Sequence, residues 1–267
     1  MAILLSGDFH NGVRGELSRI TKDSILSRYD NELYDKIRYH IILGDAGFLW
    51  PNQEKLDKHN FEVLSERDFP ILCVMGNHEP VYGRKDLQEE DIGLGEKVIV
   101  VNKEKLFVAY LKRGKIYTID SYKILVLGGA LSTDKYKRKE GESWWKEEYW
   151  SDTEKEALFT LLKKEKKFDF VLSHTGPNEI NWVLGAMGVP NRHGKEYDEV
   201  GELNDHINKK IKYRAWFCGH WHFDFLNDDF LRDEKSMKKK YFYLYNHTAV
   251  INENQLTIYK PWGEQEV

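Results

Sequence analysis

Ile71-Leu72-Cys73-Val74-Met75-Gly76-Asn77-His78-Glu79 is five apolar residues, a glycine, and then three side chains able to bind metals or move protons. An aliphatic run without polar alternation reads as a strand buried on both faces. The abrupt switch sets Asn77 and His78 at its carboxyl end. The arrangement recurs along the chain. Ala2-Ile3-Leu4-Leu5-Ser6 leads into Gly7-Asp8-Phe9-His10, and His40-Ile41-Ile42-Leu43 leads into Gly44-Asp45. Phe168-Asp169-Phe170-Val171-Leu172 leads into Ser173-His174, and Ala215-Trp216-Phe217-Cys218 into Gly219-His220-Trp221-His222. Ligands of open sheets collect beyond the carboxyl ends of the strands. Five strand ends therefore deliver Asp8, Asp45 and Asn77 as oxygen donors, and His10, His174, His220 and His222 as imidazoles, to one rim. Residues two apart on extended backbone point the same way, so Asp8 with His10 and His220 with His222 are each expected to act as a local pair. The glycines permit tight turns and close packing where the strands exit.

The segments between these strands set the architecture. Residues 15–38 and 52–66 have scattered apolar positions and read as helices, which makes the first third β-α-β-α-β with parallel strands. Ser151-Asp152-Thr153-Glu154 has the form of a capping box, opening a helix with Ala157, Leu158, Leu161 and Leu162 on one face. Val200, Leu203, Ile207 and Ile211 follow helical spacing as well. Residues 97–130 hold four apolar runs separated by short polar turns and read as a meander of antiparallel strands. Tyr241–Tyr245 and Gln255–Tyr259 read as a further antiparallel pair. The expected fold class is mixed α/β (α+β): a four-layer αββα sandwich of two mixed β-sheets flanked by helices. No proline- or serine-rich linker divides the chain, so residues 1–267 read as a single domain.

Composition narrows the function. The chain has 267 residues, 41% hydrophobic and 31% charged, with 40 Lys+Arg against 44 Asp+Glu. That balance argues against affinity resting on broad neutralisation of nucleic-acid phosphate, while leaving room for a local basic patch. Cys73 and Cys218 sit in apolar runs and are expected to be buried thiols, not a disulfide. No segment approaches the roughly 20 apolar residues of a membrane span. The amino terminus lacks the form of a secretion signal, so a cytoplasmic protein with no membrane partner is expected.

The donor set carries the chemistry. Mixed imidazole, carboxylate and amide ligation suits Mn, Fe, Zn or Co better than Ca or Mg, and the lack of cysteine disfavours a structural zinc cage. Seven donors are too many for one open ion and fit two ions sharing a carboxylate, about 3.5–4 Å apart in sites that clamp both oxygens of an in-line displacement.

These motifs, D-x-H, G-D, G-N-H-E, H and G-H-x-H in this order from residue 8 to 222, resemble those of the calcineurin-like metallophosphoesterases. Gly128-Gly129-Ala130-Leu131-Ser132-Thr133-Asp134, Trp144-Trp145 and Trp216–His220 further resemble bacterial and phage members. The resemblance implies a phosphoesterase acting on phosphomono- or phosphodiesters through a dinuclear centre and metal-bound hydroxide. Asp8, His10, Asp45 and His222 would hold one ion, and Asp45, Asn77, His174 and His220 the other, with Asp45 bridging. His78 would be the catalytic acid. The cofactor is expected to be two divalent ions, Mn first, with Fe, Zn, Ni and Co as alternatives. The partner is a phosphoester substrate, with a nucleotide or nucleic acid open. A nuclease or cyclic-nucleotide phosphodiesterase is the alternative reading. A Ser/Thr phosphoprotein phosphatase loses weight, because Ala46-Gly47-Phe48 follows Asp45 where that branch has its arginine-bearing segment. A non-catalytic binding module is disfavoured by the complete donor set.

Other features have plainer readings. His40, His59, His193, His206 and His247 match no motif and read as structural or surface residues. Trp144, Trp145, Tyr149 and Trp150 are expected to anchor a loop, with nucleobase stacking as the alternative. Lys135–Lys139 reads as a solvated basic loop, with Arg138 as a phosphate clamp the alternative, and Lys238–Lys240 as a solvated turn.

Overall fold

Alternate residues of the apolar runs face two different layers. In the computed structural model, which describes residues 1–10, 16–82, 84–186, 198–226, 240–253, 255–260 and 265–266, the chain begins with β1 (Ala2–Ser6). It continues through α1 (Lys22–Leu26), α2 (Asn31–Lys36), β2 (Ile37–Ile42), α3 (Glu54–Leu64) and β3 (Ile71–Val74). Next come β4 (Gln88–Glu90), β5 (Val98–Asn102), β6 (Val108–Leu111), β7 (Lys115–Ile119) and β8 (Tyr122–Val126). Then follow α4 (Asp152–Lys164), β9 (Phe170–Leu172), α5 (Asn178–Ala186), α6 (Glu199–Asn208) and β10 (Ala215–Cys218). The last elements are β11 (Phe225–Leu226), β12 (Lys240–Tyr243), β13 (Thr248–Asn252), β14 (Gln255–Tyr259) and β15 (Gln265–Glu266).

Among the described residues these strands form a nine-stranded sheet, β15-β14-β13-β1-β2-β3-β6-β5-β4, and a six-stranded sheet, β11-β12-β10-β9-β8-β7. Ile3, Leu5, Ile41, Leu43, Leu72 and Val74 of the first sheet meet Phe170, Leu172, Ala215 and Phe217 of the second in a shared core. The intervening residues of β1, Ala2 and Leu4, pack outward with Ile25 and Tyr34 of the first two helices. Trp216 and Cys218 face outward from β10 onto Leu158, Leu162, Val200, Leu203 and Ile207. Both faces of the central strands are therefore buried, which is why their sequences lack polar alternation. The result is the expected four-layer sandwich with two mixed sheets. Cys73 and Cys218 are buried free thiols.

β1, β2 and β3 are parallel neighbours, as the β-α-β-α-β reading requires. The single helix expected over 15–38 is instead broken. Thr21 and Asp30 each cap a new short helix, accepting the N–H groups of Ser24 and Leu33 at 3.3 and 2.7 Å, and β2 already begins at Ile37. The capping box at Ser151 is formed, but only Leu158 and Leu162 of the four proposed α4 core residues are buried.

The meander over 97–130 is also corrected. β5 pairs with β6 in one sheet and β7 with β8 in the other, the chain crossing between layers at Lys112-Arg113-Gly114. Arg113 fixes the crossing, with Glu154 oxygens 2.8 and 2.9 Å from its guanidinium nitrogens and the Tyr82 and Trp150 rings each 5.0 Å away. The expected carboxyl-terminal pair does not form either. β12 lies parallel to β10 in the smaller sheet, whereas β14 pairs with β13, a strand the sequence reading missed, which in turn pairs with β1.

Candidate functional site

The parallel strands end on one rim, and their first non-strand residues turn sharply into it. His10, Asp45, His220 and His222 all have positive φ, between 48° and 69°. This conformation is uncommon outside glycine, and its clustering is characteristic of functional sites. The tight turns are possible because glycines precede them. A Cβ on Gly44 would lie 2.2 Å from His174 Nδ1, and one on Gly76 would lie 2.0 Å from Asp45 Oδ1.

All eight side chains singled out from the sequence converge. His10 Nε2 is 3.1 Å from Asp8 Oδ1 and 3.0 Å from His222 Nε2, which is itself 3.0 Å from Asp8 Oδ2. Behind this group, His174 Nε2 lies 2.9 Å from Asn77 Oδ1 and 3.4 Å from Asp45 Oδ2. The His220 and His174 ring centres are 4.9 Å apart, and those of His78 and His10 are 5.9 Å apart. The His78 N–H donates to Asp45 Oδ1 at 2.8 Å. Asp8, Asp45, Asn77 and His174 are buried, His10, His78 and His220 half-buried, and His222 exposed, so the site deepens from a mouth at His222. The pairing differs from that expected in one respect. His220 and His222 do not form a local pair: the turn sends His222 to Asp8 and His10, and His220 to His174.

Two groups have donor atoms that all lie within 4.8 Å of one another: Asp8, His10 and His222, and Asp8, Asp45 and His174. Their surroundings suit cations. Both oxygens of Asp8 are buried, and the polar groups facing them are the imidazoles of His10 and His222, at 3.1 and 3.0 Å. Buried carboxylate oxygens are costly unless they are paired. His174 Nδ1–H donates to the Leu43 carbonyl at 2.8 Å, which turns Nε2 towards two oxygen acceptors. Such a carbonyl partner is what fixes the orientation of a ligating imidazole. Electrostatics agree. Despite burial, the carboxylates of Asp8 and Asp45 raise His10 to about 9, and Asp45 and Asp8 raise His174 to about 9. Asp8 is held well below the usual carboxylate range by His10, His222 and His174, against the effect of burial. His220 goes the other way, to about 3, through desolvation and the positive charge of His174. In both groups the buried carboxylates favour a positive charge beside them.

A family model described as calcineurin-like phosphoesterase matches residues 1–224. The chain belongs to the calcineurin-like phosphoesterase family. Among solved structures, "GAP50 the anchor in the inner membrane complex of Plasmodium" is similar at 10% identity and a TM-score of 0.49, over 100% of this chain and 86% of that one. No curated protein matches. Among the described residues no helix is long and apolar enough to cross a membrane.

Several residues that support this cluster were given no supporting role from the sequence. Asn77 Nδ2 donates to Ser132 Oγ at 2.9 Å, and Ser132 donates on to Glu148, which is buried. Glu79 accepts from the Ala46 N–H at 2.8 Å and the Tyr110 hydroxyl at 2.6 Å, and burial with the nearby Asp45 charge raises it to about 8. Tyr245 stacks on His222 with ring centres 4.9 Å apart. Ser132 lies in the Gly128–Asp134 segment and Glu79 closes the G-N-H-E motif noted above, whereas Tyr110, Glu148 and Tyr245 have no motif of their own.

The plainer readings divide. His40 is a buried structural residue between Ser6 Oγ and Arg67, at 2.7 and 2.9 Å. Trp145 packs on Trp50, ring centres 5.6 Å apart, and Trp150 Nε1 donates to the Gly128 carbonyl at 2.8 Å, so the tryptophans do anchor their loop. Arg138 is not a solvated loop residue: it is half-buried, with Nη2 3.4 Å from His78 Nε2. Intraloop contacts, which sequence periodicity does not report, fold it inward. His193, Lys238 and Lys239 lie outside the described residues.

Proposed function

We propose that the chain is a metal-dependent hydrolase of phosphoesters that works with two divalent cations, Mn first among them. The observation that carries this reading is the pair of adjoining donor groups with Asp8 in common, lined with buried carboxylate oxygens and imidazole nitrogens. Asp8, His10, Asp45 and His222 would hold one cation, and Asp45, Asn77, His174 and His220 the other, with Asp45 as the shared ligand and Asp8, the carboxylate common to both donor groups, beside it. Bound there, divalent cations supply a Lewis acid that lowers the pKa of water and neutralises phosphoryl charge. Water supplies the new P–O bond, the ester P–O bond breaks, and a proton passes to the leaving oxygen.

The chain's own residues prepare the rest. The Leu43 carbonyl keeps a nitrogen of His174 turned inward, while Ser132 and Glu148 hold the Asn77 amide so that its oxygen faces the site. His78, fixed through its N–H to Asp45, presents its ring beside His10 and is the group to donate to the leaving oxygen. Burial lowers its pKa, opposed by Asp45 and assisted by Arg138, so the imidazolium needed to protonate the leaving oxygen is disfavoured in the empty site and the ring must gain a proton to act as the acid.

The test combines metal analysis with hydrolysis of p-nitrophenyl phosphate, bis-p-nitrophenyl phosphate and single-stranded DNA in Mn²⁺. Two ions per chain and chelator-sensitive hydrolysis are expected, with DNA cleavage marking the nuclease alternative. Asp45→Asn should lose metal and activity together. His78→Ala should keep the metal and lose about 10²–10⁴ in kcat. Failure to bind cations, or full activity of Asp45→Asn, would refute the reading.

A further inference from the structure

Arg138 is held in place before any substrate arrives. Its Nε–H donates to Asp134 Oδ1 at 2.7 Å, Nη2 is 2.7 Å from Asp134 Oδ2, and Nη1 donates to the Ser143 carbonyl at 3.1 Å. The backbone of the segment closes on itself, with Arg138 N–H donating to Lys135 O at 3.0 Å and Ser143 N–H to Lys139 O at 2.9 Å. Its root is tied to the donor set, because Ser132, two residues before Asp134, hydrogen-bonds Asn77. A guanidinium carries five N–H donors; Asp134 and Ser143 take three, and the long contact to His78 engages a fourth. The Nη2 atom faces His78 Nε2 at 3.4 Å. A charged fork with a donor to spare, and one held only by a long contact, is thus fixed beside His78.

This placement distinguishes one ester class from another. A phosphomonoester has three unesterified oxygens, so two can meet cations while the third remains charged and free to meet an arginine. A phosphodiester has only two, and its third corner carries a carbon substituent that offers the guanidinium nothing. Charge-assisted, planar recognition of phosphate is what arginine does well. We infer that Arg138, aligned by Asp134, binds the phosphoryl oxygen left over by the cations and makes phosphomonoesters the preferred substrates. The inference rests on the phosphoesterase reading of the site. It places the phosphate-binding arginine in the loop after Ser132, where Ala46-Gly47-Phe48 supplies none after Asp45.

The experiment compares the wild-type chain with Arg138→Ala, Arg138→Lys and Asp134→Asn in Mn²⁺. It measures kcat and KM for p-nitrophenyl phosphate and bis-p-nitrophenyl phosphate, the competitive inhibition constant of inorganic phosphate, and metal content. Arg138→Ala is expected to raise the monoester KM and the phosphate inhibition constant about 10–100-fold, the loss of one charged hydrogen bond. Diester kcat/KM should fall by a smaller factor than the monoester value, since Arg138 also borders His78, with metal content unchanged. Arg138→Lys should recover part of the loss, and Asp134→Asn should move both quantities in the same direction by less. Equal losses on both esters, or an unchanged phosphate inhibition constant, would overturn the inference while leaving the enzyme reading intact. A wild-type chain that binds no cation and hydrolyses neither ester would overturn both.

Discussion

Removing the cations should leave two protonated imidazoles behind, and this makes cation uptake strongly pH-dependent. His10 and His174 are each raised from 6.5 to about 9, the carboxylates of Asp8 and Asp45 outweighing the desolvation that opposes them. At pH 7 a proton on such a group must be displaced before its nitrogen can bind metal. The deficit of about two pH units weakens apparent affinity about 100-fold per proton, or about 2.7 kcal/mol. Titrating Mn²⁺ into chelator-treated protein by calorimetry should therefore show affinity rising about tenfold between pH 7 and 8 for each ion that displaces one proton. Repeating the titration in buffers of different ionisation enthalpy counts the protons released. Stability of the metal-free protein should run the opposite way. Because both folded pKa values lie above the unfolded value, their contribution is complete below pH 6.5 and is lost as pH rises through 9. The melting temperature of chelated protein should fall across that window as cation affinity climbs. Affinity that is flat from pH 6.5 to 8.5, with no protons released, would refute the reasoning.

Two further perturbations probe the supporting structure. Gly76→Ala should cost about 1–3 kcal/mol in a denaturant melt and abolish cation uptake, because the new methyl would lie 2.0 Å from Asp45 Oδ1; native stability with full metal content would contradict this. Ser132→Ala should weaken Mn²⁺ binding about 10–100-fold by freeing the Asn77 amide, with circular dichroism unchanged, and an unaltered calorimetric affinity would show that Ser132 does not orient it.

The rim was legible in the sequence because each donor follows an apolar strand with little intervening chain. Asp8, Asp45, Asn77, His174 and His220 are placed by backbone alone once the strands are parallel. The separation of His220 from His222 was not legible from strand geometry, because positive φ at both residues turns apart side chains that extended backbone would have aligned. The supporting residues were hidden for another reason. Ser132, Glu148 and Arg138 act through contacts inside or across loops, and loops have no periodicity to read. The strand partners of the carboxyl-terminal region were misjudged for want of long-range information. Tyr241–Tyr243 and Gln255–Tyr259 look alike as apolar runs, yet they belong to different sheets.

The strand that carries Asp8 is sealed on one side by β13, residues 248–252, and His10 meets His222 across 212 positions of chain. A ribosome must therefore have released nearly the whole described sequence before the amino-terminal strand finds its last neighbour. Assembly is dominated by contacts between distant parts of the polypeptide, a topology that slows folding. The rim of donor side chains is therefore complete only once residues 8–10 and 220–222 have come together.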